Sequence, residues 1–149
     1  FGRRNVPGRR REWGGGNEKC KTCNDKWKTR KGMKGNDIAE RLEAFAVRVL
    51  EVGKTLPRTM PGRHVARQLL RCGTSPGANY EEARAAESKA DFIHKLGIAL
   101  KELRESRYWL RVIARAGLLP PARLSAILQE ADELGMILGR SIVTARRRC

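Results

Sequence analysis

The stretch SKADFIHKLGIALKELRESRYWLRVIARAGLL, residues 88–119, predicts a long amphipathic helix. Ser88 suits an N-cap, because its hydroxyl can accept a hydrogen bond from a backbone N–H one turn later. Asp91 places a negative charge at the positive end of the helix dipole. Gly117 and the two prolines after it forbid continuation. The apolar residues recur at three- and four-residue steps and therefore share one face. They are Phe92, Leu96, Ala99, Leu103, Leu110 and Ile113.

The opposite face of this helix is cationic. Its basic residues lie within about 60° of one direction at 100° per residue, with a tyrosine among them. The set consists of Lys101, Arg104, Arg107, Tyr108, Arg111 and Arg115. Two interpretations stay open: a solvated face with Glu–Arg pairs, or a surface for phosphates and acidic partner groups.

Length and charge limit the class of protein. A chain of 149 residues is one domain with a single sizeable core. A formal net charge of +16 favours a polyanionic partner, most commonly nucleic acid or an anionic membrane surface. Membrane-surface binding is disfavoured because bulky apolar residues do not accompany the charges. No apolar run is long enough for a membrane span and the N-terminus has no signal-peptide core, so we expect a cytoplasmic, bacterial protein.

Residues 1–35 differ in composition from the rest of the chain. They contain 12 Lys or Arg and 3 acidic residues and show neither a helical nor an alternating apolar period. We predict a disordered, basic, Gly-rich N-terminal arm, whose Trp13 and Trp27 are suited to stacking on bases. The first methionine is Met33, so the alternative is a non-native leader. The folded domain is predicted to comprise residues 36–149.

The first helix of that domain is predicted to begin with Asn36 or Asp37 as its N-cap. It ends at Leu56, because a residue before proline is displaced from the helical region. Its apolar residues step by four and three, as in antiparallel bundles. They are Ile38, Leu42, Phe45, Val49, Val52 and Leu56.

The second helix is predicted to begin near Pro61 or Gly62. Its apolar face comprises Val65, Leu69 and Cys72. The segment GTSPG, residues 73–77, interrupts the pattern, which resumes after it, so we predict a kinked or broken helix. A second basic row at four-residue spacing consists of Arg63, Arg67 and Arg71.

The last helix is predicted to begin after the double proline, since proline is tolerated in a first turn. Its apolar face comprises Leu124, Leu128, Ala131, Leu134, Ile137 or Leu138, and Ile142. Four long amphipathic helices with short connections predict an all-α protein, an antiparallel up-down-up-down four-helix bundle with a kinked second helix.

Signatures of catalysis are weak. Di-iron bundles need two Glu-x-x-His motifs, whereas this chain offers Asp91-x-x-His94 once. Cys20 and Cys23 form one CxxC pair, but a structural zinc site needs four ligands. We therefore predict that the protein is not an enzyme and has no metal, cofactor or catalytic residue.

Residues 56–110, including GTSPGANYEEARAAES, resemble the four-helix bundle proteins encoded in intervening sequences of bacterial large-subunit ribosomal RNA genes. The resemblance covers about residues 37–146 and implies a bundle that assembles into a ring, commonly a homopentamer. A related branch contains the accessory proteins of diversity-generating retroelements, in which a basic barrel binds a reverse transcriptase and nucleic acid. SRYWLRVIARAGLL and ADELGMILGRSI are similar to that branch.

These observations together predict a ring-forming, non-enzymatic bundle that binds nucleic acid, RNA above all, through basic helix faces. The alternative is a retroelement accessory or protein-interaction scaffold that docks a reverse transcriptase or another partner. The predicted nucleic-acid-binding residues are Arg63, Arg67, Arg71, Lys101, Arg104, Arg107, Tyr108, Arg111 and Arg115.

Overall fold

The structure, a computed structural model, describes residues 34–147. They form four α-helices: α1 (Lys34–Thr55), α2 (Met60–Arg84), α3 (Lys89–Arg115) and α4 (Pro121–Arg147). No strand occurs among these described residues, so the prediction of an all-α four-helix bundle is confirmed. The predictions for residues 1–33 of the N-terminal arm, including Trp13, Trp27 and the Cys20–Cys23 pair, lie outside the described residues. Lys34 and Gly35, which were predicted to lie in the arm, belong to α1.

Helix α3 has the ends that its sequence predicts. Ser88 is the N-cap, and its side-chain oxygen accepts a hydrogen bond from the backbone N–H of Asp91 at 3.1 Å. At the other end Gly117 has a φ of 65°, a left-handed conformation that glycine adopts without steric cost. The backbone N–H groups of Gly117 and Leu118 bond back to carbonyls of the last turn, as in a Schellman motif.

Helix α1 begins earlier than predicted. Its first residue is Lys34, so Asn36 and Asp37 lie inside the helix and the predicted N-cap is wrong. Contacts with helix α2 explain the difference. The Tyr80 hydroxyl donates to the Gly35 carbonyl at 3.3 Å, and Arg84 Nη2 donates to Asn36 Oδ1 at 2.6 Å.

Helix α2 continues without interruption from Met60 to Arg84, with Pro76 buried inside it. The predicted break is therefore wrong, while the kink stays a prediction. Gly73, at the start of the GTSPG segment, serves packing instead of interruption. A Cβ on Gly73 would lie 2.5 Å from Cγ1 of Val49, which is fully buried on α1. Glycine at this position lets helix α1 approach closely.

The helices pack in a cycle: α1 against α2 and α4, and α3 against α2 and α4. Contacts run in opposite directions along neighbouring helices. On α1 and α2, Gly35 meets Tyr80, whereas Gly53 lies against Leu70. One end of the bundle therefore carries the α1–α2 and α3–α4 connections, residues 56–59 and 116–120, and we name it the two-loop end.

The core consists of one cluster to which every helix contributes its predicted apolar face. Ile38, Val52, Phe92 and Leu128 are partly buried at its margin. On α4 the buried residue is Leu138 and not its neighbour Ile137. Ser106, which the sequence pattern did not assign, is buried on α3, and its hydroxyl donates to the Glu102 carbonyl at 2.9 Å. Within residues 34–147, no helix combines the length and the apolarity that crossing a membrane requires.

Candidate functional site

All nine predicted site residues are exposed on the outside of helices α2 and α3. The two helices pack against each other along their length, and side chains meet across the junction between them. Arg71 Nη2 reaches Glu105 Oε1 at 2.6 Å, and the rings of His64 and Trp109 have centroids 6.0 Å apart. The row on α2 and the row on α3 therefore flank one junction. We name the outer surface of these two helices the basic surface.

Two of the predicted arginines are engaged in ion pairs. Arg71 pairs with Glu105 as described, and Arg107 Nε lies 2.6 Å from Asp132 Oδ1 on helix α4. Arg107 therefore faces the α3–α4 junction, away from the row on α2.

The six other cations of the basic surface form no ion pair within residues 34–147. They are Arg63, Arg67, Lys101, Arg104, Arg111 and Arg115. Two arginines of the basic surface therefore form ion pairs. That the six other cations receive phosphates or acidic partner groups stays a prediction.

The two-loop end adds cations that the helix periodicity did not assign. Arg58 lies in the α1–α2 loop and Arg123 in the first turn of α4, and both are exposed. Arg123 and Arg48 line a groove of about 410 Å³ between α1 and α4. Helix α2 begins at the same end, with Arg63 in its first turn. The order and direction of the helices, and not the spacing within one helix, indicate that these cations share one end of the bundle.

An aromatic array crosses the α2–α3 junction. Tyr108 and Trp109 meet edge to face with centroids 5.2 Å apart, and Trp109 meets His64 in the same manner. Trp109 Nε1 donates to Glu105 Oε1 at 3.4 Å, the same oxygen that Arg71 contacts. Tyr108 is 58% exposed, whereas Trp109 is partly buried.

Arginine has a different environment at the α1–α4 junction. Arg41 Nε lies 2.9 Å from Glu130 Oε1, and its Nη2 lies 2.7 Å from Glu133 Oε2. Hydrogen bonds with Glu130 and then Glu133 raise the pKa of Arg41 above its ordinary value. The hydrogen bond from Arg41 lowers the pKa of Glu133. This arginine joins two helices and is not available to a ligand.

Metal-ligand chemistry finds no support in the described part of the chain. Among residues 34–147, no three His, Cys, Asp or Glu side chains lie together in a way that could hold a metal ion. Cys72 is buried as a thiol, and burial raises its pKa. A buried thiol of raised pKa is a poor nucleophile.

The fold and the surface define a small four-helix bundle protein with a basic outer face. The chain belongs to the 23S rRNA-intervening sequence protein family, whose model matches residues 34–140. It is similar to a crystal structure of a protein of unknown function from the S23 ribosomal protein family of Bacteroides thetaiotaomicron. The two are 38% identical with a TM-score of 0.69, over 74% of this chain and 98% of that chain. Among curated proteins, none matches.

Proposed function

We propose that this protein binds nucleic acid, RNA in particular, through the basic surface of helices α2 and α3, without catalysing a reaction. The single observation that carries the proposal is the set of six cations there that form no ion pair within the described residues. A cluster of unneutralised cations in a strongly basic protein attracts polyanions. RNA is favoured over DNA because the family takes its name from 23S rRNA intervening sequences.

The contacts would be made to phosphates. Arg104, Arg111 and Arg115 lie on one face of α3, so a backbone running along this helix meets one cation after another. Phosphate contacts position a nucleic acid but carry no sequence information. Binding should therefore depend steeply on salt and only weakly on sequence.

A homo-oligomer, a pentamer by resemblance, would repeat this surface. Helices α1 and α4 carry exposed apolar side chains: Val47 and Leu50 on α1, and Met136 and Val143 on α4. Burying these side chains between copies leaves α2 and α3 open to RNA. Several weak sites on one assembly then raise the overall affinity through effective concentration.

Charge reversal tests the proposal. The variant with Arg104→Glu, Arg111→Glu and Arg115→Glu should lose RNA affinity by at least about 100-fold, because attraction becomes repulsion at three phosphate contacts. A matched control reverses Arg140, Arg146 and Arg147, which are also exposed but lie on α4. That control changes the net charge by the same amount and should retain most of the affinity. Filter binding measures the RNA affinity of both variants, and circular dichroism checks folding. Light scattering checks that both keep the oligomeric state of the wild type, since the control arginines flank Val143 on α4.

A salt series separates RNA binding from the alternative function. For phosphate binding, the logarithm of the affinity falls linearly with the logarithm of salt concentration, by about 0.7 per neutralised phosphate of a single strand. A weak, flat response in the wild type would favour the scaffold that docks a reverse transcriptase or another acidic partner on the same arginines. Equal losses in the α3 and α4 variants would contradict a localised site.

A further inference from the structure

The basic surface contains an exposed aromatic side chain among its cations. Tyr108 lies within the cationic row of α3, with Arg104 four residues before it and Arg111 three residues after it. Residues at these spacings are neighbours on a helix surface. The tyrosine is 58% exposed, and its hydroxyl has no hydrogen-bond partner within residues 34–147. Neither core packing nor a polar contact in the described structure accounts for its position.

We propose that Tyr108 is a stacking platform for an unpaired base, so that the basic surface prefers single-stranded RNA over duplex RNA. This inference rests on the proposed function. Base–aromatic stacking tolerates any sequence because every base has a π-face. It therefore adds affinity without adding sequence preference, in agreement with a surface of phosphate contacts.

Neighbouring rings hold this platform in place. Trp109 packs against Tyr108 at an interplanar angle of 75°, and His64 from α2 packs against Trp109 at 74°. The hydrogen bond to Glu105 restrains the indole further. A ring that is restrained before the ligand arrives loses little side-chain entropy on binding. The contacts with Trp109 thus restrain the Tyr108 ring, while more than half of its surface stays exposed to a ligand.

The charges on each side explain the preference for a single strand. A base stacked on Tyr108 keeps its backbone within reach of Arg104 or Arg111, since each lies about one helical turn away. In a duplex the base faces are covered by their own neighbours, and A-form RNA offers mainly phosphates and 2′-hydroxyls. Duplex RNA can therefore use the arginines but not the tyrosine.

The test compares two ligands of equal length: a single-stranded RNA containing 2-aminopurine and a blunt duplex RNA. Tyr108→Ala should weaken single-strand binding about tenfold and leave duplex binding unchanged. Tyr108→Phe should behave as wild type. Tyr108→Leu, which retains apolar bulk beside Trp109 but has no π-face, should behave as Tyr108→Ala. The wild type should quench 2-aminopurine fluorescence, and Tyr108→Ala should quench it less.

The outcomes distinguish the two proposals. Equal loss of single-strand and duplex binding in Tyr108→Ala, or no loss of either, overturns the stacking inference. The arginine variants still test phosphate binding in that case. A wild-type protein that binds neither RNA overturns the proposed function and the inference together. Thermal unfolding of each tyrosine variant within a few degrees of the wild type shows that the difference lies in binding and not in the fold.

Discussion

Arginine occurs in two contrasting settings in this bundle, at the α1–α4 junction and on the basic surface of α2 and α3. Arg41 is partly buried and contacts Glu130 and Glu133, both from another helix. Arg104 and Arg111 are exposed and meet no carboxylate within residues 34–147. The same side chain therefore has two distinct consequences. At the junction it stabilises the contact between two helices, and on the surface it adds positive potential that the fold does not neutralise.

The contrast teaches that residue type and exposure alone do not identify a binding arginine. Arg107 is as much a member of the predicted row as Arg104, yet it pairs with Asp132. Arg71 likewise contacts Glu105. Ion pairs between helices separate the arginines that stabilise the bundle from the arginines whose charge stays open to a partner.

The largest effect is expected from the same charge reversal made in both settings. Arg41→Glu removes two ion pairs and places a third carboxylate beside Glu130 and Glu133. We expect a loss of about 2 kcal/mol in the free energy of unfolding, since the site is only partly buried. Arg104→Glu should change it by no more than about 0.5 kcal/mol, because no acidic partner is nearby. Urea unfolding followed by circular dichroism at neutral pH measures both.

Equal destabilisation by Arg41→Glu and Arg104→Glu would contradict the distinction between paired and unpaired arginines. It would mean that arginines outside ion pairs contribute to the fold as much as Arg41 does. Retention of RNA binding separates the variants a second time. We expect Arg41→Glu to retain binding wherever it is folded, and Arg104→Glu to weaken it because a phosphate contact becomes repulsive.

The fold was accessible from the sequence because its determinants are local. The apolar period of residues such as Leu42, Phe45 and Val49 selects the buried face of each helix, whichever helix it packs against. The prediction of a broken helix at GTSPG was wrong because glycine and proline usually end helices. Here Gly73 is needed for a different reason, the close approach of Val49 from another helix. That requirement involves two residues far apart in the chain, and local propensity does not contain it.

The candidate site was accessible only in part, for a related reason. Helical spacing correctly assigned Arg104, Arg111 and Arg115 to an exposed face. It could not show that Arg107 meets a carboxylate of α4, since this depends on how two helices are rotated against each other. It also omitted Arg58, which reaches the same end of the bundle through a loop. Whether RNA binds there stays a prediction.

An intermediate effect is expected in the pH dependence of stability. The hydrogen bond from Arg41 lowers the pKa of Glu133 in the folded protein. A lowered pKa contributes stability that is complete above the unfolded value, about 4.3 for glutamate, and is lost as pH falls through the folded value. We therefore expect the urea midpoint of the wild type to fall more steeply below pH 5 than that of Arg41→Met. The difference should be smaller than that from charge reversal, because Glu133 is partly exposed and solvent screens the pair.

Arg104→Met provides the control for this measurement. It removes a cation from the basic surface, where no carboxylate depends on it, so its acid response should parallel that of the wild type. A reduced slope in Arg104→Met as well would trace the pH dependence to net charge and not to the ion pairs at the α1–α4 junction.

The smallest effect is expected from a variant that frees Arg71, one of the two paired arginines of the basic surface, from its ion pair. Glu105→Gln removes the charge opposite Arg71 but leaves an amide oxygen to accept from Trp109 Nε1. Arg71 then joins the cations available to phosphate, and RNA affinity at low salt should rise about two- to threefold. Glu130→Gln makes the same change in net charge at the α1–α4 junction and should leave affinity as it was. If both variants bound RNA equally more tightly, total charge would govern binding, and the pairing of individual arginines would not matter.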